Sequence, residues 1–569
     1  MLFRLKIKNC HNFGELIKSL PLKAYFYYCK DRDTLKWGRA SFGKKIKMSL
    51  LTFRLIKKYK LINMKGIIYL SYFLLFSTLS FAQKITYSEI QKEDSRDMSF
   101  DIIGKIKVNV FIFKNARYKY NLSVYNAEDM DLKEKVDLDF IPEKSFNVDY
   151  VSMPENFYFI YQYQRKGIVY CMGAKMDLNG HLVDQPVLLD TTQVGAFGDN
   201  KIYTTINSED KKQIMVFKIQ KRNDQFKFVT LLLDKNLQLT HKSRATIEYD
   251  ERRDVFTDFS LDNEGNFIFT KSEKSGNKSN SSSLYLISKA PFQDSFSQRQ
   301  IDLKGLFIDE VKIKIDNVNK HYLFNSFYYM ANRGNIDGIL CTVWDVKGDT
   351  AYSTVFTRLD ASIREIAKSK GNSKFALNDF FIRNVILKKD GSYMIAAEDY
   401  STQTSGNNLG WNRWNYLYGS PFISPYDYYY YNRSYGGFYR PYSSFNNSQT
   451  TRYFCNNILL LEVNPTGSVI GDKVISKEQY ADDNDNFLSF STFITGSEIH
   501  FLYNIIEKRD KFLTDNTITS SGEMKRNPTI RSEQRGFEFM PKLSKQIGSR
   551  QIIVPCSFRS QICFAKIEF

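Results

Sequence analysis

From about residue 100 onward, short runs rich in Phe, Tyr, Ile, Val and Thr alternate apolar with polar positions, and Asp, Asn, Gly and Lys mark the breaks between them. A period of two puts successive side chains on opposite faces of an extended strand, so this texture predicts an all-β chain. Residues 107–113 (KVNVFIF), 157–163 (FYFIYQY), 228–233 (FVTLLL) and 458–463 (ILLLEV) are the clearest strands. One short helix is predicted over 360–370, where Ile363, Ile366 and Ala367 share a face and Gly371 can cap the end.

The breaks themselves repeat. A strand followed by a four-residue turn occurs at 177–180 (DLNG), 234–237 (DKNL), 345–348 (DVKG) and 464–467 (NPTG), with a degraded copy at 289–292 (KAPF). The first two turns lie 57 residues apart, and the spacing implies a period of about 55 that an insertion stretches before residue 464. A second series interleaves at 262–265 (DNEG), 317–320 (NVNK) and 388–391 (KKDG). Two hairpins per period means four strands per unit, the content of one propeller blade. The prediction is a single β-propeller over residues 95–569 with about seven four-stranded blades, six and eight also fitting the spacing. The strand-like final run 561–569 (QICFAKIEF) suits a strand completing a blade begun elsewhere in the chain. Tandem β-sandwiches are the alternative architecture.

Two segments interrupt the pattern. Residues 272–282 (SEKSGNKSNSS) read as a solvated hairpin loop. Residues 401–452 are rich in Tyr, diluted by Gly, Asn, Ser and Pro, and hold Trp411, Trp414, Tyr416, Tyr418, Tyr428, Tyr429, Tyr430, Tyr431, Tyr435 and Tyr439. Tyr joins a large rigid ring to a polar tip, and with Ser, Gly and Asn it makes adaptable contact surfaces. These ten aromatics are the candidate binding residues, for an envelope protein or a glycan, and a low-complexity loop is the competing reading.

Residues 64–83 (MKGIIYLSYFLLFSTLSFAQ) read as a secretory signal peptide: Lys65 in the n-region, an uncharged apolar run, and Ser80-Phe81-Ala82 before the cut. Cleavage between Ala82 and Gln83 is expected, with residues 83–94 left as an N-terminal extension. Met64 is a sensible initiator, so residues 1–63 are expected to lie upstream of the true start. A transmembrane anchor is the alternative, although the run falls short of the ~20 apolar residues that a span requires. The expected location is therefore exported: periplasm, outer-membrane surface or extracellular.

That leader changes the charge. Residues 1–82 hold 17 of the 80 Lys+Arg and 3 of the 62 Asp+Glu, so the net charge falls from +18 to +4 without them. Phosphate recognition needs clustered cations on one face, and no such block remains, which excludes a nucleic-acid function.

Candidate chemistry is sparse. His181, His241, His321 and His500 are far apart, and there is no HxH, HExxH, CxxC, GxSxG, Walker or GxGxxG motif, so no metal, cofactor or catalytic set is expected. Paired carboxylates occur at Glu398-Asp399 and at Asp482, Asp483 and Asp485; they are the residues to nominate for glycan or peptide cleavage by a propeller hydrolase or lyase, with solvated turns as the bland reading. A non-catalytic binding or scaffold role is favoured. Cys556 and Cys563 fall directly opposite each other if Arg559-Ser560 form a two-residue hairpin turn, which places a disulfide within reach, two reduced thiols being the alternative.

Residues 380–400 (FFIRNVILKKDGSYMIAAEDY), the aromatic segment, 457–479 (NILLLEVNPTGSVIGDKVISKEQ) and 487–504 (FLSFSTFITGSEIHFLYN) resemble secreted β-propeller-like proteins of Bacteroidota-type bacteria. The matching residues are Lys388 to Gly391, Glu398, Asn464 to Gly467, Lys477 and Gln479; Ile470 and Ile505 depart from the pattern. The resemblance spans the last third of the chain. It implies a secreted propeller and carries over no catalytic residue.

Overall fold

The computed structural model describes residues 83–569 apart from 91–97, 117–118, 195–201, 223–224, 251, 277–278, 369–375, 406–412, 414–416, 418–449, 483, 508–509, 531–535 and 560. The signal-peptide, cleavage and upstream-start expectations fall outside these residues on all but the Gln83 side.

Each alternating run is a strand, and each set of four strands is an antiparallel meander. Successive sheets cover residues 98–137, 145–193, 203–248, 254–301, 307–358, 380–475 and 490–526, which we number blades 1 to 7. Blades 4 and 5 share a single bridge, Ser281 to Ile308, and are otherwise separate meanders. Blade 8 is assembled from both ends of the described chain: Phe537–Phe539 and Lys545–Gly548 form its inner edge, Gln551–Phe558 and Gln561–Glu568 follow, and Lys84–Tyr87 is its outermost strand. The propeller thus has eight blades, within the six to eight that the turn spacing allowed around a value of about seven. The final run completes a blade with a strand from the other end of the described chain, as expected, and the turn of blade 1 after Lys119–Asn126 lacks the Asp-x-x-Gly signature that marks the turn series. Within 83–94, expected as an extension, residues 84–87 belong to the ring.

A four-stranded sheet cannot cover both of its own faces, so each blade buries them against its neighbours. Eight apolar clusters do this, one for each interface between consecutive blades. The cluster between blades 8 and 1 closes the ring, with Phe100, Ile102, Val110 and Ile112 packed on Ile553, Ile562 and Phe564. Phe100 meets Phe564 edge-on at 5.2 Å between ring centroids. Eight interfaces for eight blades leave no room for tandem sandwiches.

The turn series has a stereochemical cause. In the turns at Asp177, Asp234, Asp262 and Asn464, the side-chain Oδ1 accepts from the backbone N–H two residues on and again four residues on, at 2.8–3.0 Å. The fourth residue must then turn with positive φ, which Gly180 (φ 86°), Gly265 (φ 87°) and Gly467 (φ 84°) supply. At Gly180 a Cβ would also stand 2.6 Å from Leu122 Cδ2.

The helix α1 spans Ala361–Ala367, and Asp360 caps it by accepting from the N–H groups of Ser362 and Ile363. Ile363 and Ala367 are buried as expected, but Ile366 is 58% exposed, because it lies a quarter-turn off that face. The loop expected over 272–282 is shorter, since strands Phe267–Lys274 and Ser281–Lys289 run into it from both sides.

Candidate binding face

An antiparallel meander sends its connections alternately to two sides of the ring. First-to-second and third-to-outer turns make the lower face; second-to-third connections, and those leading to the next blade, make the upper face. Both sequence turn series lie on the lower face. The nominated carboxylates Glu398, Asp399, Asp482 and Asp485 and the roots of the aromatic segment lie on the upper face, around blade 6.

Blade 6 is built to carry a long segment there. Its second and third strands, Tyr393–Thr404 and Thr451–Val463, are 12 and 13 residues long, and the short strand Tyr480–Asp482 pairs with the upper end of the latter. Ser405 N–H donates to the Thr450 carbonyl at 2.8 Å, holding the two roots together. The ten nominated aromatics lie outside the described residues.

Between residues 406 and 449 two residues are described, and both are anchored. Arg413 is 8% exposed; its Nε lies 2.5 Å from Asp309 Oδ2 in blade 5, its Nη1 donates to the Phe380 carbonyl in blade 6, and its guanidinium sits 4.1 Å from the Phe381 ring centroid. Tyr329 donates a further hydrogen bond to Asp309. Leu417 is buried with Phe381, Tyr400, Cys455 and Leu488.

The carboxylates are engaged rather than poised. Glu398 is fully buried, with Lys477 Nζ 2.8 Å from Oε1, Arg383 Nε 3.3 Å from Oε2 and the Ser489 hydroxyl donating to Oε2 at 2.6 Å. Burial acts to raise its pKa, yet Lys477 and Arg383 outweigh it and hold the carboxyl below its ordinary range. Lys477 also donates to the Cys455 carbonyl and to Gln479 Oε1. The Glu398, Lys477 and Gln479 of the family-like pattern are therefore one buried network that ties blade 6 to blade 7. Asp399 accepts from Asn456 at 3.3 Å, Asp482 forms a forked pair with Arg452 at 2.7 and 3.1 Å, and Asp485 pairs with Lys542 at 2.6 Å. Asp483 lies outside the described residues.

Sequence reasoning missed the charges around the ring axis. β-Bulges in the inner strands of blades 4, 5 and 6 leave Asp258, Asp309, Glu310 and Arg383 out of the ladder. Lys312 stands between Asp258 (3.8 Å) and Glu310 (3.3 Å). Elsewhere on the inner strands, Lys545 of blade 8 donates to the Tyr150 hydroxyl of blade 2 at 2.8 Å, beside Asp101 of blade 1. Burial pushes the Asp101 carboxyl up to about 7 in spite of Lys545 and Tyr150. The available signal was a charged residue breaking the alternation just after an aromatic or Ile, as in Phe100-Asp101 and Ile382-Arg383.

The histidines stay apart: His181 pairs with Glu134 at 3.0 Å and His500 with Asp515 at 2.9 Å, in different blades. Among the described residues no group of three or more His, Cys, Asp or Glu is arranged to hold a metal ion. Cys556 and Cys563 occupy directly paired positions on adjacent strands, both buried, as thiols with Sγ atoms 2.6 Å apart.

No family model matches the chain, and no curated protein matches it in sequence. Among solved structures, it is similar to the WD40 domain of SCAP from fission yeast, at 7% identity and a TM-score of 0.36 over 85% of this chain and 96% of that one. It is also similar to prolyl oligopeptidase B from Galerina marginata (8% identity, TM-score 0.38, 82% of this chain and 56% of that one) and to a PL25 ulvan lyase (10%, 0.33, 73% and 90%). The propeller itself is established by the strand order, the shared eighth blade and the eight packed interfaces.

Proposed function

We propose that residues 83–569 act, after export, as a non-catalytic binding or scaffold protein of the bacterial cell envelope, with the aromatic segment of blade 6 as its contact surface for a protein or a glycan. The observation that carries this reading is the Arg413 anchor. A buried arginine spanning two blades fastens the root of a Tyr-rich segment to the upper face, and holding part of a contact loop in place lowers the ordering cost of binding. The rival reading, a propeller hydrolase or lyase, finds its nominated carboxylates Glu398, Asp482 and Asp485 already neutralised by Lys477, Arg452 and Lys542.

The test compares residues 83–569 with a version in which 406–449 is replaced by a short Gly-Ser linker, leaving the paired strands intact. Immobilised on beads and offered envelope extract and a panel of envelope glycans, the intact protein is expected to retain a saturable ligand that the shortened one loses. Equal retention by the two would overturn the role of the aromatic segment, and turnover of a glycan or peptide substrate by either would establish the rival. Intact-mass analysis of the exported protein checks for a start at Gln83; a product retaining residues 1–82 would contradict export by cleavage.

A further inference from the structure

Away from blade 6, a cleft of about 430 Å³ opens on the upper face between blades 3 and 4. Its walls come from the upper ends of their strands and from the connection between them: Gln225, Glu248 and Asp250 on one side, Arg253, Asp254, Lys271 and Glu273 on the other. Tyr249, largely buried, also lines it, stacked on Phe226 at 3.8 Å and on Phe256 at 5.7 Å between centroids.

The cations of this cleft are already committed. Lys271, 7% exposed, lies 3.1 Å from Asp254 Oδ2 and 3.3 Å from Glu273 Oε1, and Arg253 Nε donates to the Lys274 carbonyl at 3.2 Å. The rim carboxylates are not. Glu248 and Asp250 are exposed and form no ion pair with any described residue; the Asp250 carboxylate accepts only backbone N–H, from Arg252 at 2.9 Å. Four carboxylates thus line the cleft with two basic groups, and Glu248, one of the two acids left over, is paired across adjacent strands with Gln225.

We propose that this cleft is a second binding site, which takes a cationic group, the guanidinium or ammonium of a basic peptide side chain, with its aliphatic stem along Tyr249 and its charge between Glu248 and Asp250. A concave polar wall that includes an aromatic residue suits such a group, since the stem buries apolar area while the head keeps hydrogen-bond acceptors. The state of Asp254 agrees. Burial holds its carboxyl above the ordinary range even with Lys271 3.1 Å away, and an added cation nearby would favour the ionised form.

The site shares no residue with the aromatic segment, so its test is independent of the function proposed above. Calorimetric titration of residues 83–569 with acetyl-Arg-Gly-Arg-amide is expected to give saturable binding that weakens with salt, and the isosteric citrulline peptide is expected to bind at least about tenfold more weakly. Glu248→Gln with Asp250→Asn, both at exposed rim positions, is expected to lose about tenfold for the arginine peptide while unfolding at the wild-type temperature. Replacement of 406–449 is expected to leave this affinity unchanged. Equal binding of the arginine and citrulline peptides, wild-type affinity in the double variant, or no binding at all would each overturn the proposal.

Discussion

Asp101 shows how a single side chain makes the ring sensitive to pH. Its carboxyl sits at about 7 in the folded chain, against 3.8 when unfolded, because burial disfavours the charge. Below about pH 4 it is protonated in both states and costs nothing. Between about pH 4 and 7 the unfolded chain releases this proton while the folded chain retains it, so stability falls as the pH rises, and above 7 the loss is complete. Asp101→Asn is therefore expected to gain on wild type as the pH rises from about 4 to about 8, by on the order of 1–3 kcal/mol at the upper end, read from urea midpoints across that window. A constant gap would contradict the assignment. The cysteine pair gives a second residue-scale test. Cys556 and Cys563 face each other across adjacent strands, and burial and the neighbouring sulfur hold the Cys556 thiol well above its ordinary range, so Cys556 is a poor nucleophile in the folded chain. Oxidised glutathione as the two-electron oxidant is expected to close an intramolecular bridge, each thiol losing one hydrogen, and to do so faster once urea opens the blade. Full alkylation of both cysteines in denaturant, after oxidation and without reductant, would count against the bridge.

At the scale of elements, what the sequence made legible follows from what is local. The Asp-x-x-Gly turns could be read because one side-chain oxygen, two backbone N–H groups and one positive-φ residue all fall within five consecutive positions. Strand alternation could be read for the same reason, and so could the register that sets Cys556 opposite Cys563. The partners of Arg413 could not. Asp309 lies 104 residues away, and only the packing of blade 5 on blade 6, with a bulge that frees Asp309 from the ladder, brings the two together. The Glu398–Lys477 pair was hidden by the same kind of separation, so a carboxylate nominated for chemistry proved to be part of a tie between blades. The Arg413 anchor is measurable. Arg413→Met leaves the buried Asp309 without its cation and is expected to cost about 3 kcal/mol, whereas Arg413→Met with Asp309→Leu removes both charges and is expected to recover most of that loss. Additive losses in the double variant, seen in chemical denaturation, would mean that the pair does not act as a unit.

Across the whole molecule, the decisive feature is how the ring shuts. Seven blades are continuous in sequence, but blade 8 takes its outermost strand from residues 84–87, with Lys84 opposite Glu568 and Tyr87 opposite Ala565. That pairing closes the ring with backbone hydrogen bonds in addition to the apolar contact between blades 8 and 1, and it covers an edge that would otherwise stay open. Because Lys84 lies beside Glu568, a short Gly-rich linker can join Phe569 to Gln83 as a hairpin, and new ends can then be cut elsewhere. Two permuted chains separate the contributions. Ends placed between blades 3 and 4, near residue 251, leave every blade continuous and the ring held shut there without strand pairing. Ends placed in the turn between Ser281–Lys289 and Ser297–Ile301 divide blade 4, so that five paired positions from Leu284–Ile301 to Ser288–Ser297 restore a shared blade. Both keep the same residues and the same eight interfaces. The divided-blade permutant is expected to unfold at the higher urea concentration and in a single transition, and the other at a lower midpoint. The reverse order would mean that the packing between flat blade faces, and not the shared strand, keeps the ring closed.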